Sequence, residues 1–225
     1  DELRSHGDRR LRHGGRDDLL DWLADIGERP YVVVANHEST ADPFLLSHLP
    51  WDMRWVAKEE LFRPPVVGWY MKLSGDIPLR RGDGESVREM FSVCRETLDN
   101  GLSVMIFPEG TRSTDGAIQE FKPVIGHLAL TKGVDILPVY LGGTYEAMKK
   151  GTRFPTKRDI TAKIGLPIKV EDLERLTHGM KPSAAYRKVA AIAEQEEDPR
   201  VAALLASTRM PAPPEIARNP LISIN

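Results

Sequence analysis

The chain has 225 residues, of which 41% are hydrophobic and 28% charged, a composition typical of a soluble globular protein with one sizeable core. Its formal net charge of −2 gives no general positive field, so the composition argues against a nucleic-acid partner. A single cysteine, Cys94, excludes an intrachain disulfide and a cysteine-cluster metal site, and it favours a reducing compartment. No apolar run reaches the roughly 18 residues that a membrane span needs, so we expect any membrane contact to be peripheral.

The first segment, residues 1–29, is predicted to be a basic stretch followed by a helix. Its opening "DELRSHGDRRLRHGGR" carries five arginines against three acidic residues. Apolar residues then recur at helical spacing up to Ile26, and Gly27 is placed to end the helix. We expect the arginine-rich part to lie on the surface.

Residues 30–170 are predicted to form the structural core, because strand and helix patterns alternate along them, and the polar loops described below make this segment the candidate catalytic core. Amphipathic helices end at Gly101 and Gly133. Strands are predicted at "YVVVA", "MRWVA", "DIPL", "SVMIF", "DILPVYL" and "ITAKIG". Pro138 in the fifth of these indicates an edge strand or a bulge. The alternation predicts a single α/β domain with a largely parallel central sheet flanked by helices.

The last segment, residues 171–225, is predicted to pack on the same domain. It contains two helical stretches, "SAAYRKVAAIAEQEE" and "PRVAALLAS", before the proline-rich tail "RMPAPPEIARNP".

The loop "NHESTAD" follows the first buried strand and contains the first candidate catalytic pair, His37 and Asp42. Side chains five positions apart diverge in both helices and strands, so only a turn can bring this pair together. The alternative is that Asp42 caps a helix beginning near Pro43 and accepts from an N–H near Leu45. The two roles are compatible, because one carboxylate accepts several hydrogen bonds.

A second polar loop, "FPEGTRS", follows another buried strand, and loops at strand ends can share one crevice. Glu109 and Arg112 could form only a local ion pair on an exposed turn. Gly110 instead favours close approach of the backbone to a ligand, with N–H groups and a guanidinium to hold an anion. The stretch "GDIPLRR" adds Arg80 and Arg81 after a short strand.

These stretches together resemble the 1-acylglycerol-3-phosphate acyltransferase (lysophosphatidate acyltransferase) family of the glycerolipid acyltransferase superfamily. Four blocks match in order over residues 30–167: "NHESTAD", "GDIPLRR", "FPEGTRS" and "ILPV". Two positions depart from the family pattern: the glycine after the third block is delayed to Gly126, and Arg80 stands where an acidic residue is common. Arg80 could add phosphate affinity or change the choice of acceptor.

The resemblance implies transfer of a fatty acyl group from acyl-CoA or acyl carrier protein to the free hydroxyl of 1-acylglycerol-3-phosphate, giving phosphatidic acid. His37 would be the general base and Asp42 would orient it. The lipid hydroxyl would replace a serine nucleophile, since no Gly-x-Ser-x-Gly elbow occurs, and Ser39 and Thr40 are the remaining candidates for a side-chain nucleophile. The acceptor phosphate would be bound by Arg81, Glu109, Gly110, Thr111 and Arg112, with Lys122 as a looser possibility.

The oxyanion of the tetrahedral intermediate would be stabilised by backbone N–H groups near Gly110 or by the Asn36 side chain. The resemblance implies no metal and no cofactor beyond the thioester co-substrate; a metal site built from His37, Asp42 and Glu109 is a weak alternative. The same residues are also compatible with a glycerol-3-phosphate acyltransferase, a thioester hydrolase or a lipid carrier without turnover.

The expected partners are the lysophospholipid, the acyl donor and a membrane surface, with the enzyme peripheral on the cytoplasmic face. Two stretches could contact the bilayer, the N-terminal "RSHGDRRLRHGGR" and the central "LFRPPVVGWYMK". For the second stretch the alternative is that Trp69 and Met71 are core residues of a helix packed on the sheet.

Overall fold

The computed structural model describes residues 28–197 except 50, 150 and 153. The strands are β1 Val32–Ala35, β2 Met53–Lys58, β3 Ile77–Leu79, β4 Ser103–Ile106, β5 Ile136–Gly142 and β6 Thr161–Ile164. The helices are α1 Asp42–Leu46, α2 Pro65–Leu73, α3 Gly84–Asp99, α4 Val124–Lys132, α5 Thr144–Ala147, α6 Val170–Thr177 and α7 Pro182–Glu197, and a 3₁₀ helix spans Glu59–Phe62.

The strands form one sheet in the order β3-β2-β4-β1-β5-β6, and β6 alone in it is antiparallel to its neighbour. The predicted α/β fold with a largely parallel sheet is therefore confirmed. Because β1, β3 and β4 run in the same direction, the loops that follow them emerge at the same edge of the sheet. This edge brings the three chemistry-bearing stretches together.

The predicted elements match the observed ones closely within the described part of the chain. The helix predicted to end near Gly133 spans Val124–Lys132, and Gly133 has φ 64°. Asp83 caps α3 by accepting from the N–H groups of Glu85 and Ser86. The helix predicted before Gly27, the stretch "PRVAALLAS" and the proline-rich tail lie outside the described residues.

The two faces of the sheet carry separate hydrophobic cores. The first packs against α3, α4, α6 and α7 through residues that include Met90, Cys94, Ile125, Leu173 and Val189. The second packs against α1, through Leu45 and Leu46 among others. Both faces of the sheet are therefore buried, and the polar loops begin at the ends of buried strands.

The interpretation of Pro138 as an edge residue is wrong, because β5 lies between β1 and β6. The Pro138 carbonyl accepts from the Gly165 N–H at 2.8 Å, just past the end of β6. Val139 pairs with Ile164, whereas Ile136 bridges Ile168, so one additional residue lies on the β6 side of this stretch. Proline is thus placed at an irregularity in the pairing, which fits the bulge interpretation.

The core interpretation of the stretch around α2 is wrong for Trp69, whose side chain is 65% exposed. Within the described ranges, no helix combines the length and apolar character needed to cross a bilayer.

Candidate active site

The loops after β1 and β4 are joined by their own main chains. These strands are neighbours in the sheet. The His37 N–H donates to Glu109 Oε1 at 2.6 Å, and the Ser113 N–H donates to the His37 carbonyl at 2.7 Å. The crevice predicted between the two loops is therefore built around the main chain of His37.

The His37 and Asp42 side chains meet, as their spacing predicts. His37 Nδ1 lies 2.8 Å from Asp42 Oδ2, and the same oxygen accepts from the N–H groups of Glu38 and Ser39, each at 2.8 Å. The Asp42 side chain is fully buried, whereas that of His37 is 18% exposed. With Nδ1 held by the carboxylate, Nε2 is the ring nitrogen left for a substrate proton.

The alternative role of Asp42 as a helix cap is wrong. Helix α1 begins at Asp42 itself, its N-cap is Ala41, and no side chain caps it. The Leu45 N–H, which the capping alternative would satisfy with Asp42, donates to the Ala41 carbonyl at 3.1 Å. The carboxylate is therefore used to fold the loop onto His37.

The ring of Phe107 supports the imidazole, a contact that the sequence interpretation missed. The two ring centroids are 4.0 Å apart and the planes differ by 18°, which is a stacked arrangement. Phe107 in turn lies 6.2 Å from Trp55 of β2. Stacking and the Asp42 bond together restrict the orientation of His37. In the sequence, nothing marks Phe107 as a contact of His37 beyond its position at the end of a predicted strand.

Glu109 is buried and connects three parts of the chain. Oε1 accepts from the His37 N–H, and Oε2 accepts from the Gln119 N–H at 2.9 Å. Burial raises the pKa of Glu109 to about 7, against the lowering effect of these two hydrogen bonds. Both oxygens of the carboxyl group are therefore bonded to the main chain of the protein itself. We therefore assign Glu109 to positioning, and its contact with phosphate stays a prediction.

Asn36 has no donor left for an oxyanion. Its Oδ1 accepts from the Leu141 N–H at 2.7 Å, while Nδ2 donates to the Leu141 carbonyl at 2.9 Å and to Glu38 Oε1 at 3.1 Å. Both amide hydrogens are thus committed, and the side chain is fully buried. Of the two kinds of oxyanion donor predicted, the backbone near Gly110 remains.

The turn at Gly110 leaves particular N–H groups available. Gly110 has φ 73°, a conformation that favours glycine, and its own N–H donates to the Phe107 carbonyl at 3.1 Å. The next two N–H groups, of Thr111 and Arg112, make no hydrogen bond with any residue in the described part of the chain. These two N–H groups are therefore the ones the turn leaves for a ligand, and a role for them with an oxyanion stays a prediction.

The arginines after β3 have different surroundings. Arg80 binds both carboxylate oxygens of Glu59, at 2.7 and 3.0 Å, and Asp83 at 2.7 Å. These acids engage three of the five N–H groups of the guanidinium, and a contribution of Arg80 to phosphate affinity stays a prediction. Arg81 is exposed and forms no ion pair or hydrogen bond with the residues that the structure describes. Arg112 is half-buried and donates to Thr40 Oγ1 at 3.1 Å.

Ser39 is fully buried, which argues against it as a nucleophile. Its Oγ donates to the Met148 carbonyl at 2.8 Å and accepts from the Ala41 N–H at 3.0 Å. Thr40 is exposed, but its Oγ1 accepts from Arg112. Lys122 is exposed beside the site, and its N–H donates to the Pro108 carbonyl at 2.9 Å.

A family model described as Acyltransferase matches residues 2–142, which include both polar loops and Arg81. This chain belongs to the acyltransferase family.

Several relatives of this acyltransferase-family chain carry the same name. It is 38% identical over 125 residues to the chloroplastic 1-acyl-sn-glycerol-3-phosphate acyltransferase LPAT1 of Arabidopsis thaliana, covering 56% of this chain and 35% of the relative. It is 30% identical over 155 residues to the 1-acyl-sn-glycerol-3-phosphate acyltransferase of Saccharomyces cerevisiae, covering 67% and 51%. The chain therefore spans about a third to a half of the length of these curated relatives.

A solved structure is similar over most of both chains. The crystal structure of PlsC from Thermotoga maritima, a 1-acyl-sn-glycerophosphate (LPA) acyltransferase, aligns with a TM-score of 0.63 at 28% identity. The alignment covers 85% of this chain and 81% of that one.

Glu38 is a further buried acid in this acyltransferase-family chain that sequence reasoning did not single out. Its Oε1 accepts from Asn36 Nδ2, and its main-chain N–H donates to Asp42 Oδ2. Burial, and then repulsion from Asp42, raise the pKa of Glu38 to about 7. Nothing in a local pattern marks this residue, because the groups around its carboxyl include the backbone of the distant Tyr145, whose hydrogen bonding acts in the opposite direction and lowers the pKa.

The buried acids predict a pH dependence of stability. The unfolded chain releases the Glu38 proton near pH 4.5 and the folded chain near pH 7. Between these values the folded state binds more protons, so the free energy of unfolding falls as pH rises, by on the order of 3 kcal/mol for this carboxyl. The penalty is absent below pH 4.5 and complete above about pH 7.

Urea unfolding from pH 5 to 8 measures this effect. Glu38→Gln keeps the acceptor for Asn36 but removes the charge, so we expect it to be more stable than the unaltered chain at pH 8 and to lose part of the slope. Equal slopes in the two proteins would contradict the assignment to Glu38.

Proposed function

We propose that this chain transfers a fatty acyl group from acyl-CoA or acyl carrier protein to the free hydroxyl of 1-acylglycerol-3-phosphate, forming phosphatidic acid. The observation that carries the proposal is the pair of His37 and Asp42, bonded at 2.8 Å where two loops meet at one edge of the sheet. The names of the relatives support the choice of reaction.

The residues of the crevice suit direct transfer. His37 Nε2 accepts the proton of the lipid hydroxyl as its oxygen attacks the thioester carbonyl. Asp42 stabilises the imidazolium that forms, and the N–H groups of Thr111 and Arg112 face the developing oxyanion. Collapse of the intermediate breaks the carbon–sulfur bond, and the thiolate receives the proton back from the imidazolium. The ester and the free thiol then leave.

The acceptor phosphate would be bound by Arg81 and Arg112. Both follow strands that end at the edge that carries His37, and the guanidinium of Arg81 has no partner among the described residues. In the parallel sheet β3 and β4 are separated by β2 alone, so their ends are about 10 Å apart, a span that two arginine side chains can bridge. Arginine forms bidentate bonds with phosphate, which would orient the free hydroxyl towards His37.

Replacing these arginines should affect the acceptor more than the donor. We expect Arg81→Ala and Arg112→Ala each to raise the KM for lysophosphatidate by about tenfold or more, with a smaller change for the thioester. Steady-state kinetics with each substrate varied in turn measures this.

Arg80→Ala is the matched control, because Arg80 is adjacent in the sequence but is held by Glu59 and Asp83. It should leave the KM for lysophosphatidate close to that of the unaltered chain. Equal effects of Arg81→Ala on both substrates, or a larger acceptor effect for Arg80→Ala, would contradict the phosphate assignment.

We further propose that the enzyme works as a peripheral protein on the cytoplasmic face of a membrane, where its lipid acceptor resides. The thioester is water-soluble and can reach the site from solution, whereas the acceptor partitions into the bilayer.

One assay tests the proposed reaction. The purified chain is incubated with labelled acyl-CoA alone, with lysophosphatidate, and with glycerol-3-phosphate. We expect labelled phosphatidic acid with lysophosphatidate and little free fatty acid without an acceptor. Free fatty acid at the same rate in all three mixtures would identify a hydrolase, preference for glycerol-3-phosphate would change the acceptor, and no turnover would indicate a binding protein.

A further inference from the structure

The outward face of α2 is apolar, which reverses the usual arrangement of a surface helix. The side chain of Leu73 is 88% exposed and that of Trp69 is 65% exposed. At about 100° per residue, the exposed apolar side chains of α2 cover roughly 160° of its circumference. They are Val66, Val67, Trp69, Tyr70 and Leu73. We call this set the α2 face.

The opposite side of α2 is fixed to the rest of the chain by a glycine. Gly68 is the buried residue of the helix. A Cβ at this position would collide with the backbone of Phe62 in the 3₁₀ helix. At the far end, Asp76 accepts from the Trp55 N–H of β2 at 3.0 Å. The helix is therefore held with its apolar side directed outwards, where burial against the described residues 28–197 does not account for it.

The composition of this region favours a lipid surface as the occupant. Trp and Tyr are the side chains that prefer the headgroup layer of a bilayer. Arg63 and Lys72 are exposed beside them, and residues 61–75 contain no acidic residue. A face of nine helical residues offers roughly a few hundred Å², less than the about 800 Å² that each partner buries in a stable protein interface.

The position of α2 connects this face to the active site. The helix follows β2, whose carboxyl end lies at the same edge of the sheet as the loops of His37 and Glu109. Phe44, two residues after Asp42, is 71% exposed, so the helix that follows the catalytic loop also carries an exposed apolar side chain. An enzyme docked through α2 would thus present its crevice near the bilayer.

We propose that the α2 face, flanked by Arg63 and Lys72, is the surface that docks this protein onto an anionic lipid bilayer. The proposal rests on the proposed function, because an enzyme whose acceptor lies in a bilayer has to bind the surface of that bilayer. The aromatic side chains enter the headgroup layer, and the two cations contact anionic lipids.

Sedimentation with vesicles tests the docking without any substrate. The full chain is mixed with phosphatidylcholine vesicles that contain or lack phosphatidylglycerol, at low and high salt. We expect binding that needs phosphatidylglycerol and weakens with salt. The double variant Trp69→Ser, Leu73→Ser should bind at least about tenfold more weakly, since it loses two large apolar contacts.

The matched control is Leu176→Ser, which removes an exposed leucine from α6. That helix begins beside Asp135, at the opposite edge of the sheet, where the Val170 N–H donates to Asp135 Oδ1. It should bind vesicles as tightly as the unaltered chain. The variant Arg63→Gln, Lys72→Gln should lose the dependence on phosphatidylglycerol and salt.

Binding by the Trp69, Leu73 double variant equal to that of the unaltered chain would overturn the proposal. Light scattering tests for a second copy of the chain as the occupant: a dimer that this double variant converts to a monomer, without vesicle binding by either, would assign the face to self-association.

Transfer to lysophosphatidate dispersed in detergent separates docking from function. A double variant that is active on dispersed acceptor but does not bind vesicles would support both the docking and the proposed function. An unaltered chain that binds vesicles but transfers no acyl group would support the docking and contradict the proposed function.

Discussion

Replacing His37 by alanine is expected to lower kcat/KM for acyl transfer by at least about 10³-fold and to leave the fold intact. The imidazole is the base that the His37–Asp42 pair orients, and no nearby described side chain offers an equivalent nitrogen in the crevice. The structural cost should be small, because the side chain packs on one face of Phe107 and is partly exposed.

The transfer assay and a thermal melt measure the two effects of His37→Ala separately. His48→Ala is the matched control, because His48 is exposed and its Nδ1 contacts the Phe44 carbonyl at 2.7 Å, away from Asp42. It should retain full activity. A folded His37→Ala protein that still transfers acyl groups would remove His37 from the mechanism.

The second large effect is expected for Asp42→Asn, with a loss of about 10² to 10⁴ in kcat. The asparagine oxygen can accept the bonds that Oδ2 now accepts from His37, Glu38 and Ser39, so the loop can keep its shape. The negative charge that stabilises the imidazolium is lost, however. The amide nitrogen would occupy the place of Oδ1, which is buried and has no hydrogen-bond partner among the described residues.

That unsatisfied amide predicts a stability cost of about 1–3 kcal/mol for Asp42→Asn, measurable by urea unfolding. The account therefore expects two separate losses, a large one in turnover and a moderate one in stability. Turnover close to that of the unaltered chain would show that the carboxylate charge is dispensable.

Much of the fold follows from features that are local in the sequence. Strands buried on both faces require continuous apolar runs, as in β1 and β4, and glycines end α3 and α4. A helix at α2 was predicted only as one of two alternatives, and that alternative placed Trp69 in the core, whereas the apolar side chains of α2 face outwards and its packed side consists of Gly68. Periodicity can indicate that a helix is present, but it assigns the apolar face to the core, which fails for a helix with the reverse arrangement.

The candidate site was predictable where the chemistry lies within one loop. The spacing of His37 and Asp42 excludes regular structure, and that alone indicates the turn that joins them. The roles of Asn36 and Glu109 depend on partners that no local pattern specifies, namely the main chains of Leu141 and Gln119. Both side chains were assigned to the substrate from their place in a motif, whereas the structure shows them bonding the protein itself.

The central claim is that His37 activates the lipid hydroxyl for direct attack, without an acylated enzyme. Mass spectrometry of the intact protein, mixed with acyl-CoA alone and then with lysophosphatidate, tests it most directly. The account predicts no acyl adduct on the protein in either mixture, and equal amounts of phosphatidic acid and free CoA once both substrates are present. An adduct that forms with acyl-CoA alone and passes its acyl group to lysophosphatidate would contradict it.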